Sequence, residues 1–207
     1  EQSPHIVCLN EVDFKTERTY RDDQARKIAA ELGMEFTFAR NLQLQGGWYG
    51  NAILSKFPIY FSENKLFVQR KDEEPRALLH TIININSKKL HFYGTHLSTD
   101  SLGSAAETKE LLSIVLDWGL TQPVIIAGDL NMIPTSHRIH EIAYYFYDLG
   151  SVITEKMNTY PSTKPVKRID YIFTNDKIVP KSVYVVDNEN TRIASDHLPI
   201  VAKFRIK

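Results

Sequence analysis

Apolar and polar positions alternate along this chain in short blocks, and most of the blocks read as strands. The clearest is Val124-Ile125-Ile126-Ala127, an unbroken apolar run that fits a buried strand. It stops at Gly128-Asp129-Leu130-Asn131, where Asp129 and Asn131 stand two apart and leave one face of an extended chain together. Taken alone, that ending is explained equally well by an Asx-turn, in which both side chains bond their own backbone. Residues 5–9 repeat the layout, an apolar run with the carboxylate of Glu11 at its exit. Further strands are predicted at 34–40, 51–55, 58–68, 77–85, 89–97, 168–173, 182–186 and 199–206. Helical spacing predicts 21–32, with Ala25, Ile28, Ala29 and Leu32 on one face and Gly33 as its stop. It also predicts 104–118, through Leu111, Leu112, Val115 and Leu116, and a short helix over 136–145. Residues 45–50 read as a glycine-rich loop, 69–76 as a solvated charged connection, and 157–167, with two prolines, as a loop. Many short strands with a few helices between them predict two packed sheets flanked by helices.

Composition narrows the picture without deciding it. A chain of 207 residues suits one domain, and that size can bury roughly 70% of its unfolded surface. With 25 acids against 25 bases the net charge is zero, so no strong grip on long nucleic acid is advertised, although a local patch would not show in that balance. The single cysteine, Cys8, excludes an internal disulfide framework and reads as a buried thiol, which suits a cytoplasmic monomer. No apolar run approaches the roughly 18 residues that a membrane span needs. The chain opens on Glu1 and enters a strand almost at once, so a leader upstream stays open.

Candidate chemistry sits where the apolar runs end. Glu11, His96, Asp129 with Asn131, Asp170, and the pair Asp196-His197 are all polar residues placed at or in strands. Asp170 is the most telling, because Ile169, Tyr171, Ile172 and Phe173 around it are strong strand formers, and a carboxylate there needs a partner. A histidine donating a ring N–H would serve, with His197 and His96 as candidates. Glu11, Asp129 and Asp196 make a hard, all-oxygen set suited to Mg²⁺ or Mn²⁺ rather than zinc. His137 and His140 read as exposed helix histidines. A carboxylate-bound divalent cation beside an Asp–His couple suits hydrolysis at phosphorus, with a carboxylate to deprotonate water and histidine and asparagine to meet developing negative charge.

The same stretches resemble a known family. Ile6-Val7-Cys8-Leu9-Asn10-Glu11-Val12, Tyr49-Gly50-Asn51-Ala52-Ile53-Leu54-Ser55-Lys56, Gly94-Thr95-His96-Leu97, Gly128-Asp129-Leu130-Asn131, Arg168-Ile169-Asp170-Tyr171-Ile172 and Ser195-Asp196-His197-Leu198-Pro199 follow in order. They are similar to the motifs of the endonuclease/exonuclease/phosphatase superfamily. The resemblance implies a deoxyribonuclease-like, four-layered α/β sandwich of two mainly antiparallel sheets flanked by helices. It implies Glu11 as the principal metal ligand with Asp196 assisting, Asp129 activating water, Asp170 orienting His197, and His197 stabilising the pentacovalent transition state. His96, Asn131, Asn51 and Arg76 would contact the phosphate. Lys164, Lys167 and Arg168 would add positive potential at the rim, or form a plain solvated cluster.

There are departures. Asn10 stands where the family usually has glutamine, and the family's first central strand, ending in a metal-binding asparagine, has no counterpart ahead of residue 5. A single domain over 1–207, incomplete at its N-terminus, is therefore expected. A binding or regulatory module with decayed catalysis is the alternative from another class. The spacing looks most like compact bacterial metal-dependent hydrolases. DNA or abasic-site cleavage, inositol-phosphate and sphingomyelin hydrolysis are the alternative substrate classes, with Trp48 and Tyr49 able to stack a base or pack on the glycine loop.

Overall fold

The alternation of side chains across strands builds two sheets, each with one face toward the other. A computed structural model describes residues 2–70, 73–119, 121–152 and 157–207. The first sheet runs β1 (Ile6–Phe14), β4 (Gly47–Ser55), β2 (Glu35–Phe38), with β3 (Leu42–Leu44) also on β4. The second has six strands in the order β5 (Ile59–Leu66), β6 (Ala77–Ile85), β7 (Lys88–His96), β8 (Val124–Asp129), β10 (Asp170–Thr174) and β9 (Tyr147–Asp148). Its neighbours are antiparallel except β7 and β8, which run parallel through the crossover helix α2 (Ser101–Gly119). Strands β11 (Ile178–Val185) and β12 (Ile200–Ile206) pair with each other, joined through the short helix α4 (Glu189–Ala194).

Apolar layers separate these elements. Ile53, Leu79, Ile83, Phe92, Ile125 and Ala127 meet between the sheets. Leu78, Tyr93, Val124 and Ile126 point the other way, under α2 and α3 (His137–Tyr145). Ala25 and Ala29 of α1 (Gln24–Leu32) close over Ala52 and Leu54 on the outside of the first sheet. The architecture is thus the expected four-layered α/β sandwich. Strand β8 is apolar from Val124 to Ala127 because it is covered on both faces. Among the described residues β1 has β4 and β12 has β11 as its one strand neighbour, while Ile6, Cys8, Phe204 and Ile206 all pack on the inter-sheet layer.

Several local expectations are corrected. Strand β1 does not end before Glu11 but continues to Phe14 through a bulge between Leu9 and Val12. Helix α1 starts at Gln24, capped by Asp23, because Arg21 takes a left-handed conformation; Ile28 and Leu32 remain 39% exposed. The glycine-rich stretch is largely strand from Gly47 onward, and a Cβ on Gly50 would stand 1.9 Å from the Ala39 carbonyl oxygen, so that glycine serves close backbone approach. Asp170 does not interrupt its strand but begins it. Strands β3 and β9 and helix α4 are additional elements, and β11 starts earlier than expected, at Ile178. Of the connection 69–76, residues 71–72 lie outside the described residues.

Candidate active site

Register puts three of the predicted residues in one row. In the parallel pair His96 stands opposite Asp129, and in the neighbouring antiparallel pair Asp170 stands opposite Asp129. Adjacent strand ends therefore present an imidazole and two carboxylates side by side. Gly128 makes this possible: its φ is 141°, and a Cβ there would lie 1.9 Å from the Thr95 carbonyl oxygen. Past the strand, Asn131 is left-handed (φ 54°), and its N–H donates to Asp129 Oδ1 at 2.7 Å. That is the Asx-turn the sequence allowed, and it coexists with the constellation because Asp129 Oδ2 stays free to face the histidines. The Asn131 side-chain amide donates to the Leu97 carbonyl (2.8 Å) beside His96 Nε2 (3.0 Å).

The loop before β12 supplies His197. Its Nδ1 lies 2.8 Å from Asp170 Oδ2 and its Nε2 3.9 Å from Asp129 Oδ2. The Tyr160 ring leans on the imidazole at 4.9 Å between centroids. Asp170 bonding holds His197 up at about 9, so the imidazolium persists at neutral pH. Asp129, 6% exposed, is pushed up to about 7 by burial and then by the charge of Asp170. His96 is the opposite case: burial first, then Arg76, lowers it to about 3. Arg76 Nη1 stands 2.6 Å from His96 Nδ1, and a guanidinium can only donate. Asn131 Nδ2, likewise only a donor, faces Nε2, so both ring nitrogens meet donors; His96 is a neutral imidazole, with Nε2 3.5 Å from Asp129 Oδ2.

The first sheet contributes from across the seam. Asn10 and Glu11 form the β1 bulge opposite Asn51, and Glu11 is left-handed (φ 58°), a conformation a non-glycine residue holds only under constraint. Its carboxylate is exposed, with Oε1 3.9 Å from His96 Nδ1. Asn10 accepts the Asp129 N–H (3.0 Å) and donates to the Thr95 carbonyl (2.9 Å) and to Asn51 Oδ1 (2.9 Å). Asn51 is 1% exposed, yet its Nδ2 has no partner, and neither does the buried Nε of Arg76. A buried donor without a partner is uncommon in a folded protein.

Not every predicted residue joins this cluster. Asp129, Asp170 and His197 converge, their ligand atoms within 4.8 Å of one another. Glu11 and Asp196 lie outside that group, on a bulge and an exposed loop, where Asp196 offers its carbonyl to the Ser162 N–H. The rim cluster of Lys164, Lys167 and Arg168 is corrected, since Arg168 is buried, paired with Asp148 and laid over the Tyr171 ring. His137 and His140 are exposed on α3. Sequence reading missed Arg18, which grips Asp13 through two bonds (2.7 and 2.8 Å) and covers the Tyr49 ring beside Glu11. It also missed Tyr160, for which an aromatic-proline step inside a loop was the one available signal.

This arrangement has counterparts in known proteins. The sequence profile of the Endonuclease/Exonuclease/phosphatase family matches residues 1–197. The chain belongs to this family. Members of the endonuclease/exonuclease/phosphatase family are hydrolases acting on phosphoesters, and they generally use divalent metals. Among curated proteins, the uncharacterised YbhP of Escherichia coli (strain K12) is 26% identical over 219 residues, covering 99% of this chain and 84% of YbhP. A conserved protein of unknown function from Enterococcus faecalis V583 has the same fold, with TM-score 0.82 and 18% identity over 98% of this chain and 86% of its own. The human Nocturnin catalytic domain, solved with a bound sulfate anion, follows at TM-score 0.72 and 18% identity over 99% and 81%. Among its described residues no helix is long and apolar enough to cross a membrane.

Proposed function

We propose that this protein is a Mg²⁺- or Mn²⁺-dependent phosphoesterase that hydrolyses a P–O bond by in-line attack of an activated water. The observation that carries the reading is the row His96, Asp129, Asp170 with His197 folded against it. There His96, Asp129 and His197 are driven to different protonation states. Asp129 is the base: a carboxyl raised to about 7 is matched to taking a proton from water near neutral pH. His197, held as an imidazolium by Asp170, donates from Nε2 to the charge that grows on the phosphoryl oxygens. Asn131, Asn51 and Arg76 add donors around the same oxygens, beside the neutral imidazole of His96.

The residues present fit a divalent metal. Glu11, Asp129, Asp170 and Asp196 offer hard carboxylate oxygens at one edge, and Glu11 is held by its bulge with its side chain open. Glu11 and Asp196 would hold the ion, which when bound supplies Lewis-acid stabilisation of the phosphoryl and leaving oxygens. A sulfate anion in the Nocturnin domain is consistent with an oxyanion site on this fold. The test is turnover of bis-(p-nitrophenyl) phosphate with Mg²⁺ or Mn²⁺. Activity is expected to vanish with EDTA and to fall by about 10³-fold or more in Asp129→Ala. Metal-independent turnover, or a fully active Asp129→Ala, would overturn the assignment. The zero net charge favours a small phosphate ester over long nucleic acid, and turnover faster on abasic DNA than on small esters would reverse that choice.

A further inference from the structure

We propose that Glu107 of α2 is a positioning residue for His96 and Asn131, acting through Ser98. Strand β7 ends at His96, so beyond it no ladder holds the backbone. Yet Leu97 carries two contacts of the site. Its N–H donates to the Asp129 carbonyl (3.0 Å), and its carbonyl accepts the Asn131 side-chain amide (2.8 Å). What holds this peptide from the other side is Glu107. Its carboxylate, on a residue 6% exposed, accepts both the Ser98 N–H (2.7 Å) and the Ser98 hydroxyl (2.5 Å).

A carboxylate is a costly choice for that place. Leu111, one turn along α2, sits fully buried in the apolar layer, and an aliphatic side chain at 107 would fill similar space without desolvating a charge. Burial accordingly raises the Glu107 carboxyl, while the two Ser98 bonds and then the charge of Arg76 pull against it. That last influence is a second link to the site, because the Arg76 guanidinium stands 2.6 Å from His96 Nδ1. Glu107 thus holds the peptide that orients Asn131 and faces the cation that orients His96.

The kinetic arm of the test rests on the phosphoesterase reading; the spectroscopic arm does not. Glu107→Gln can still accept from the Ser98 N–H and donate to its hydroxyl, whereas Glu107→Ala can do neither. Glu107→Ala is expected to lower kcat about 10–100-fold while KM changes by less than about threefold, and Glu107→Gln is expected to restore most of the loss. In ¹⁵N-resolved NMR of the full chain, the Ser98 amide and Asn131 side-chain resonances should move in Glu107→Ala and stay in place in Glu107→Gln. Leu111→Ala, which loosens the same helix without touching Ser98, should keep kcat at a temperature where it stays folded. Should Leu111→Ala lose as much kcat as Glu107→Ala, or should the Asn131 resonances stay put in Glu107→Ala, the positioning role is overturned. If the wild type turns over no phosphoester while Asn131 still shifts in Glu107→Ala, the positioning role stands and the phosphoesterase reading fails.

Discussion

At the scale of single residues, Asp129 and His197 set the pH behaviour. Catalysis needs Asp129 ionised and His197 protonated, so kcat/KM should rise through about 7 and fall through about 9. A bound divalent cation would move both limbs lower, because a nearby positive charge favours the carboxylate and disfavours the imidazolium. In Asp170→Asn the imidazole loses its main stabilising bond, and NMR titration should show His197 moving from about 9 toward its ordinary value, with the alkaline limb following. The two shifts also have signs in stability. The raised His197 contributes stability that is full below its ordinary value near 6.5 and is lost as pH rises through about 9. The raised Asp129 works against the fold as it ionises, so its penalty grows between about 4 and 7 and is complete above. Asp129→Asn should therefore stabilise the protein at pH 8 by about 1–3 kcal/mol in urea unfolding, while abolishing turnover. The residue types were legible: an Asp and an Asn after an apolar strand had to find partners. Which oxygen did what was not, because the Asx-turn takes Oδ1 and the histidines face Oδ2.

At the scale of elements, the buried pair Arg168–Asp148 ties β9 to the start of β10, and Asp148 also accepts the Gly150 N–H at 3.0 Å. Removing one partner strands the other charge. Asp148→Ala should cost about 3–5 kcal/mol, measured by urea denaturation, because the Arg168 guanidinium stays buried without its carboxylate. In sequence Arg168 looked like one more cation beside Lys164 and Lys167. It differs because β10 begins two residues later and turns its side chain inward over Tyr171, a direction that composition does not encode. The long strands β6, β7 and β8 were readable from alternation or apolar runs. The two-residue β9 and the short α4 carry too few positions for a period to emerge.

At the scale of the whole molecule, the site lies on the seam between two sheets, and Asn10 bridges it. It links the β1 bulge to Thr95 and Asp129 on the second sheet and to Asn51 on its own. Asn10→Ala would leave the Asp129 N–H and the Thr95 carbonyl without that partner. We expect a loss of about 1–3 kcal/mol in stability and a larger drop in kcat than in substrate affinity, measured by denaturation and steady-state kinetics. Asn10 looked like a weak form of the family's motif. Its role depends on a bulge that aims two consecutive side chains at one cleft, a feature set by pairing with β4.

The sequence by itself determined the layer architecture, since alternation, apolar runs and helical spacing follow from which faces must leave water. It also determined which polar residues stand beside the ends of apolar runs. The tertiary structure decided which of them meet. Register across β7, β8 and β10 brings His96, Asp129 and Asp170 into one row, although they lie far apart in the chain. Burial and partners then leave His96 a neutral imidazole, raise Asp129 to about 7, and hold His197 charged through its bond to Asp170. Protonation states depend on distance and desolvation, and neither exists until the strands are packed.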